Sequence, residues 1–141
     1  MNIVMAVLLL FWGCIFSIAG LGNIFDLINN VTQRHFRFST GNYVLAAKVV
    51  SKFTSSRRII MTLFLIIICL ELISAFSYVF AWLFYVMGRK SFVAYATVIG
   101  MIFPGSLTIG NEVFAYYENE EEHIVLLLAQ FVTYVGYILI G

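Results

Sequence analysis

The sequence is short of charge and of proline. Only 11% of the 141 residues are Asp, Glu, Lys or Arg, and the whole chain contains one proline. Soluble domains carry about 25% charged residues, because charged side chains cover a surface that faces water. With 62% hydrophobic residues and a mean hydropathy of +1.00, this chain has more apolar surface than a globule of its size could bury. The composition excludes an ordinary water-soluble domain and indicates a membrane protein.

Motifs of soluble enzymes and metal proteins are also missing. The two cysteines, Cys14 and Cys69, lie far apart in apolar stretches, and the sequence contains no Cys-x-x-Cys pair and no His/Cys cluster. It contains no glycine-rich phosphate loop either. Buried thiols of this kind usually behave as small hydrophobic side chains. The sequence therefore names no cofactor and no metal, it gives no reason to expect nucleic acid as a partner, and an enzyme is the less favoured interpretation.

Long apolar stretches are what the sequence has instead. A bilayer core about 30 Å thick needs about 20 apolar residues per helix, and four stretches reach that length, approximately residues 3–25, 59–87, 92–114 and 123–141. They lack the period-two alternation of barrel strands, so helices are the remaining way to pair the backbone in lipid. We interpret the first stretch as a true span rather than a secretory signal. The prediction is all-α: one transmembrane domain over residues 1–141, a polytopic four-helix bundle.

The long first loop, about residues 29–58, contains an amphipathic segment. In "NYVLAAKVVSKF", residues 42–53, apolar side chains share one broad face, and Lys48 and Lys52 lie opposite. A short basic amphipathic helix beside a span is typical of a segment in the membrane interface. We favour this anchoring interpretation over docking of a partner protein.

Charges of opposite sign divide between two loops that share one membrane face in a four-span topology. Loop one contains six Lys or Arg residues, and loop three, about residues 115–122, reads "YYENEEEH". The two loops could form ion pairs over the mouth of the bundle, although exposed pairs contribute only about 0–1 kcal/mol each. Two independently solvated loops are an equally good interpretation.

A carboxylate interrupts the second apolar stretch at "IICLELIS", where Glu71 lies about twelve residues, or roughly 18 Å, from the loop-one end of the predicted span. That distance puts it close to the midplane. A charge at the bilayer centre costs about 2.5–3.5 kcal/mol, so such residues normally face the bundle interior or a cavity. We predict a polar pocket that opens toward loops one and three. Its candidate ligand-binding residues are Glu71, Asp26, Glu112, Asn23, Asn111 and His35.

These polar residues also carry a resemblance. "GNIFDLINN", the histidine of loop one, "LELISAF" and "IGNEVF" resemble a bacterial family of predicted small integral membrane proteins, domain of unknown function 2165. The family pattern falls here on Asn23, Asp26, His35, Glu71, Gly110, Glu112 and Phe114. Val113 stands where the family often has Trp, and "ENEEEH" replaces a stretch richer in amides. The resemblance implies a small multi-pass membrane protein and no defined activity.

Two arguments give opposite membrane orientations. Loop one has six basic residues, and loop two has two, Arg89 and Lys90. The positive-inside rule, applied to these counts alone, puts loop one in the cytoplasm. Family members are instead more basic in loop two, which puts both termini in the cytoplasm. We favour the second orientation, in the inner (plasma) membrane, because Lys48 and Lys52 have a separate role as surface anchors.

Two hypotheses for function remain. In the first, a non-enzymatic protein holds a cation, a proton or a small amphiphile in the acidic intramembrane pocket. In the second, the chain is an accessory or structural subunit of a larger membrane complex, and its buried acids are interhelical hydrogen-bonding groups. Catalysis through His35 or the acids, and immunity to a membrane-active toxin, are weaker. The bilayer is the expected partner, and small-residue faces leave a homo-oligomer open.

Overall fold

The computed structural model describes residues 2–32, 36–114 and 120–140, except for the side chains of residues 108, 110–120 and 140. Within these ranges the chain is all-helical and contains no strand, as predicted. The helices are α1 (Ile3–Thr32), α2 (Asn42–Val50), α3 (Arg57–Val86), α4 (Ser91–Phe114) and α5 (Glu120–Ile140).

Three of the helices are long and apolar enough to cross a membrane, namely α1, α3 and α5. In α4 the apolar stretch whose side chains are described is Ser91–Leu107, which is at the short end of the range for a span. Three candidate spans, rather than four, are therefore the structural finding.

Two helix boundaries differ from those predicted from the sequence. α1 continues to Thr32 rather than ending near residue 25, and polar side chains along its later turns form hydrogen bonds with loop one. α2 ends at Val50 rather than at residue 53. There the Lys52 and Phe53 amides donate to the carbonyls of Val49 and Val50, three residues back, which tightens the chain into a turn.

The long helices pack in chain order, α1 on α3, α3 on α4 and α4 on α5, while α2 packs on both α1 and α3. An aromatic cluster lies where α1 meets α3, with the rings of Phe16 and Tyr78 stacked at 5.9 Å between centroids. Two hydrogen bonds tie α5 to this core. Trp12 Nε1 donates to Thr133 Oγ1 at 3.1 Å, and the Tyr78 hydroxyl donates to Gln130 Oε1 at 3.1 Å.

Close approach of α4 to this polar pair requires a glycine. A Cβ atom at Gly100 would lie 2.5 Å from Tyr78 Cε2 and 2.6 Å from Gln130 Oε1. A Cβ atom at Gly105, five residues later on the same helix, would have no neighbour within 4 Å among the described residues. A Cβ atom at Gly100 would therefore collide with Tyr78 and Gln130, whereas one at Gly105 would meet no described side chain.

We expect Gly100→Ala to destabilise the protein by about 1–3 kcal/mol, because overpacking forces the Tyr78 ring and the Gln130 amide apart. Gly105→Ala is the matched control and should be neutral or stabilising by about 0.5–1 kcal/mol, since alanine is the better helix former. Thermal unfolding of the two variants in detergent checks this, and equal melting temperatures would contradict the packing described here.

Candidate functional site

One face of α1 is polar at its loop-one end and binds the chain that follows the helix. Asn23, Asp26 and Asn29 are spaced three residues apart, so they lie on one side of the helix. The Phe36 amide donates to Asn29 Oδ1 at 2.8 Å, and Asn29 Nδ2 donates back to the Phe36 carbonyl at 3.0 Å. This side chain thus pairs both backbone groups of one loop residue and starts the loop's return along α1.

Asp26 caps the short helix α2 from outside that helix. The residue at the N-terminal boundary of α2 is Gly41, which has no capping side chain and a φ of 77°, a conformation that glycine adopts at no steric cost. The Asp26 carboxylate takes the place of a local cap, because its Oδ2 accepts from the Tyr43 amide. Its Oδ1 accepts from Ser39 Oγ at 2.8 Å. A negative charge here also complements the positive end of the helix dipole.

Asn23 connects this loop to the buried acid of α3. Its Nδ2 donates to both carboxylate oxygens of Glu71, each at 2.8 Å. Its Oδ1 accepts from Thr40 Oγ1 at 2.8 Å and from Asn42 Nδ2 at 2.9 Å. One amide therefore joins α1, α3, loop one and the first turn of α2.

Burial makes this network costly to break. Glu71 is 3% exposed, Asn23 is 1% exposed and Asp26 is 2% exposed, so their described partners replace water. Leaving a buried polar group unpaired costs about 1–3 kcal/mol, and more for a charged group. The three side chains consequently hold α1, α2 and α3 in one arrangement.

Glu71 and Asn23 also line a cavity of about 430 Å³ between α2, α3, α4 and the start of α5. Ligand pockets typically measure about 300–1,000 Å³. Apolar side chains form most of the wall, and the polar exceptions besides Glu71 and Asn23 are Asn42, Ser106 and His123. The apolar lining residues are Leu45, Ala46, Val49, Val50, Ile60, Leu63, Phe64, Ile66, Ile67, Leu70, Phe103 and Leu107.

The residues predicted for the pocket divide into three groups. Glu71 and Asn23 lie together on the cavity wall. Asp26 belongs to the same network but does not line the cavity, because its carboxylate is directed at the N-terminus of α2. His35 lies outside the described residues, and so do the side chains of Asn111 and Glu112, whose backbone forms the last turn of α4.

Sequence reasoning missed Thr40, Asn42 and His123, and it missed the cavity wall contributed by α2. A signal for the first two was present in "FSTGN", residues 38–42, where small polar residues and a glycine precede an apolar periodic segment. Such a run is typical of a helix start. No feature of the local sequence indicated that α1 would supply the cap of α2 and the acceptor for Thr40 and Asn42.

In the described part of the chain, no three His, Cys, Asp or Glu residues come together to hold an ion. No protein-family model, curated protein or solved structure matches this chain. The resemblance to small integral membrane proteins of unknown function therefore stays a prediction.

The capping role of Asp26 gives a local prediction. Asp26→Ala leaves the Tyr43 amide and the Ser39 hydroxyl without their acceptor, and loss of such a cap costs about 0.5–2 kcal/mol. We expect faster amide hydrogen exchange throughout Asn42–Val50 in detergent, with the centre of α3 unchanged.

Asn29→Ala is the matched control for this experiment, since Asn29 lies on the same face of α1 but pairs with Phe36 rather than with α2. It should speed exchange near Phe36 only. Unchanged exchange of α2 in the Asp26 variant would show that the cap does not hold the helix.

Proposed function

We propose that the chain is a four-span, non-enzymatic membrane protein that binds a small amphiphile in the cavity beside Glu71. The fourth span would be α4, whose 24 residues extend about 36 Å and so exceed the thickness of a bilayer core. The remaining arguments concern where the cavity lies, what can enter it and what its polar groups can bind.

The position of Asn23 indicates where the site lies in the membrane. Asn23 follows Ile3 by 20 residues, about 30 Å along the helix, which equals the thickness of a bilayer core. Because α1 can tilt and Asn23 bonds Glu71, we infer that the acid lies in the loop-one half of the apolar layer rather than at the midplane expected from α3 alone. Tyr43 and Val50 of α2 cover the first turns of α3, where they pack with Ile60 and Phe64.

Exposure of a residue in the cavity wall is the observation that carries the proposal. Ile66 lines the cavity and is also 50% exposed, so we infer that the cavity opens beside α3 onto a surface that lipid would cover. A molecule that dissolves in the bilayer can enter there without crossing a polar layer. A hydrated ion would have to cross the apolar wall first.

The polar groups of the wall indicate the chemistry of the ligand. Both Glu71 oxygens are acceptors, and a single Asn23 nitrogen donates to them, so a carboxylate with about four lone-pair positions retains capacity for a further donor. The rest of the wall suits an alkyl chain. A short-chain amine or alcohol, with its donor at Glu71 and its chain along α2 and α3, meets both conditions.

Binding of decylamine to the protein in lipid nanodiscs tests this function. Glu71→Gln should weaken decylamine binding about tenfold or more, since a hydrogen bond to a charged group contributes about 1.5–3 kcal/mol. Ala46→Phe should abolish binding by filling the cavity from α2, and it tests the site even if the Glu71 variant unfolds. Ile73→Phe, at an exposed position of α3 outside the cavity, is the control and should bind as the wild type does.

Decanesulfonate, which has the same chain and an anionic head, should bind the wild type more weakly than decylamine. The proposal is wrong if Glu71→Gln and Ala46→Phe both bind decylamine as well as the wild type.

A second candidate function is supported by the bond between Asn23 and Glu71 itself. In an accessory subunit of a larger membrane complex, this pair would serve as an interhelical hydrogen-bonding group and need no ligand. The bond joins α1 to α3, which is what such a role requires.

A double-mutant cycle, taken together with the decylamine measurement, separates the two functions. If the pair is structural, Asn23→Ala and Glu71→Gln should each lower stability, and their effects should be non-additive by about 0.5–3 kcal/mol, as for residues in contact. Thermal unfolding of the wild type, both single variants and the double variant without ligand measures this. Additive effects together with intact decylamine binding would leave the accessory role unsupported.

A further inference from the structure

Four exposed cations lie around the turn from α2 to α3. Lys48 and Lys52 come from the end of α2 and the turn that follows it, and Arg57 and Arg58 begin α3. Arg57 Nη2 donates to the Asn30 carbonyl at 3.2 Å, which orients one guanidinium beside the end of α1. We call these four residues the basic turn.

No described carboxylate forms an ion pair with the basic turn. The exposed acids Glu121 and Glu122 of α5 are described, and they do not neutralise it. Acidic side chains of loop three were one expected partner for these cations, so their charge within the described chain remains available for an anion from outside.

The fold fixes the direction in which the basic turn points. Tyr43, Val49 and Val50 are buried on the opposite face of α2, where Tyr43 and Val50 pack with Ile60 and Phe64 of α3. The Asp26 cap holds the other end of the same helix. Because the helix is anchored on its apolar side and at its start, Lys48 is directed outward together with the arginines that follow the turn.

Exposed apolar side chains lie next to these cations. Val44 is 59% exposed, Phe53 is 60% exposed and Ile59 is 48% exposed. Apolar side chains beside Lys and Arg are typical of the boundary between headgroups and acyl chains. A soluble anion would match the charges but not the apolar neighbours, whereas a phospholipid matches both.

We propose that the basic turn binds the anionic headgroups of bilayer phospholipids. Arginine offers a planar fork of donors that fits a phosphate with two hydrogen bonds, and lysine adds a point charge. This site does not depend on the cavity: its ligand is a diacyl phospholipid held from outside, and Glu71 takes no part in it.

Native mass spectrometry of the 141-residue chain in detergent tests the proposal, with dioleoylphosphatidylglycerol and dioleoylphosphatidylcholine titrated in parallel. The wild type should prefer the anionic lipid by at least about tenfold. The variant Lys48→Gln/Lys52→Gln/Arg58→Gln should lose that preference, since removing one Lys or Arg near the membrane surface weakens binding of an anionic lipid by up to about fivefold. All three positions are exposed, so the fold should survive.

Two control variants make the result specific. Lys48→Arg/Lys52→Arg/Arg58→Lys keeps the charges and should keep the preference. Arg89→Gln/Lys90→Gln removes two charges from the turn between α3 and α4, at the other end of the bundle, and should also keep it. Glu71→Gln should bind the anionic lipid as the wild type does, so failure of the cavity proposal and failure of this one are distinguishable.

Several outcomes would overturn the proposal. Equal binding of the two lipids by the wild type would do so, as would an unchanged preference in the triple glutamine variant. An equal loss in the Arg89/Lys90 variant would show a general effect of charge. Competition by free glycerol 3-phosphate as strong as by the lipid would show a soluble-anion site instead.

Discussion

The requirement that buried polar groups find partners inside the protein organises the loop-one end of this structure. The Asn23 amide satisfies this requirement for three segments at once. Its nitrogen donates to Glu71 of α3, and its oxygen accepts from Thr40 of loop one and Asn42 of α2. Because these side chains are buried, separating α1, α3 and the start of α2 would leave a charge or an amide short of its hydrogen bonds. Loop one is consequently a packed part of the fold.

The arrangement of α2 has consequences on both of its faces. Its apolar face closes the cavity beside Glu71, with Val49 and Val50 on the wall. Its outer face and the turn that follows present Lys48 and Lys52. An amphipathic segment at a membrane surface usually buries its apolar face in lipid, but here much of that face is used against the protein. The same helix thus links the proposed interior site to the proposed headgroup site.

A different polar layer holds the opposite part of the bundle. Trp12 bonds Thr133 and Tyr78 bonds Gln130, so α5, whose outer face is largely exposed, is positioned by side-chain hydrogen bonds as well as by packing on α4. In hydrocarbon, where helices gain no hydrophobic driving force from one another, such bonds and close packing at small residues are the available forces. Gly100 shows the two combined, since its missing side chain leaves room for both Tyr78 and Gln130.

The sequence by itself determined the helices, because apolar length, the scarcity of charge and the period of residues 42–53 are local properties that predict helix and burial. It also singled out Glu71 and Asn23, since a polar residue inside an apolar stretch needs a partner wherever the chain goes. Tertiary structure alone decided which partners those are. Asp26 was expected on the pocket wall and instead caps α2, and Asn42 joined the site, because both outcomes depend on how loop one returns along α1, and that path is set by contacts between residues distant in the chain.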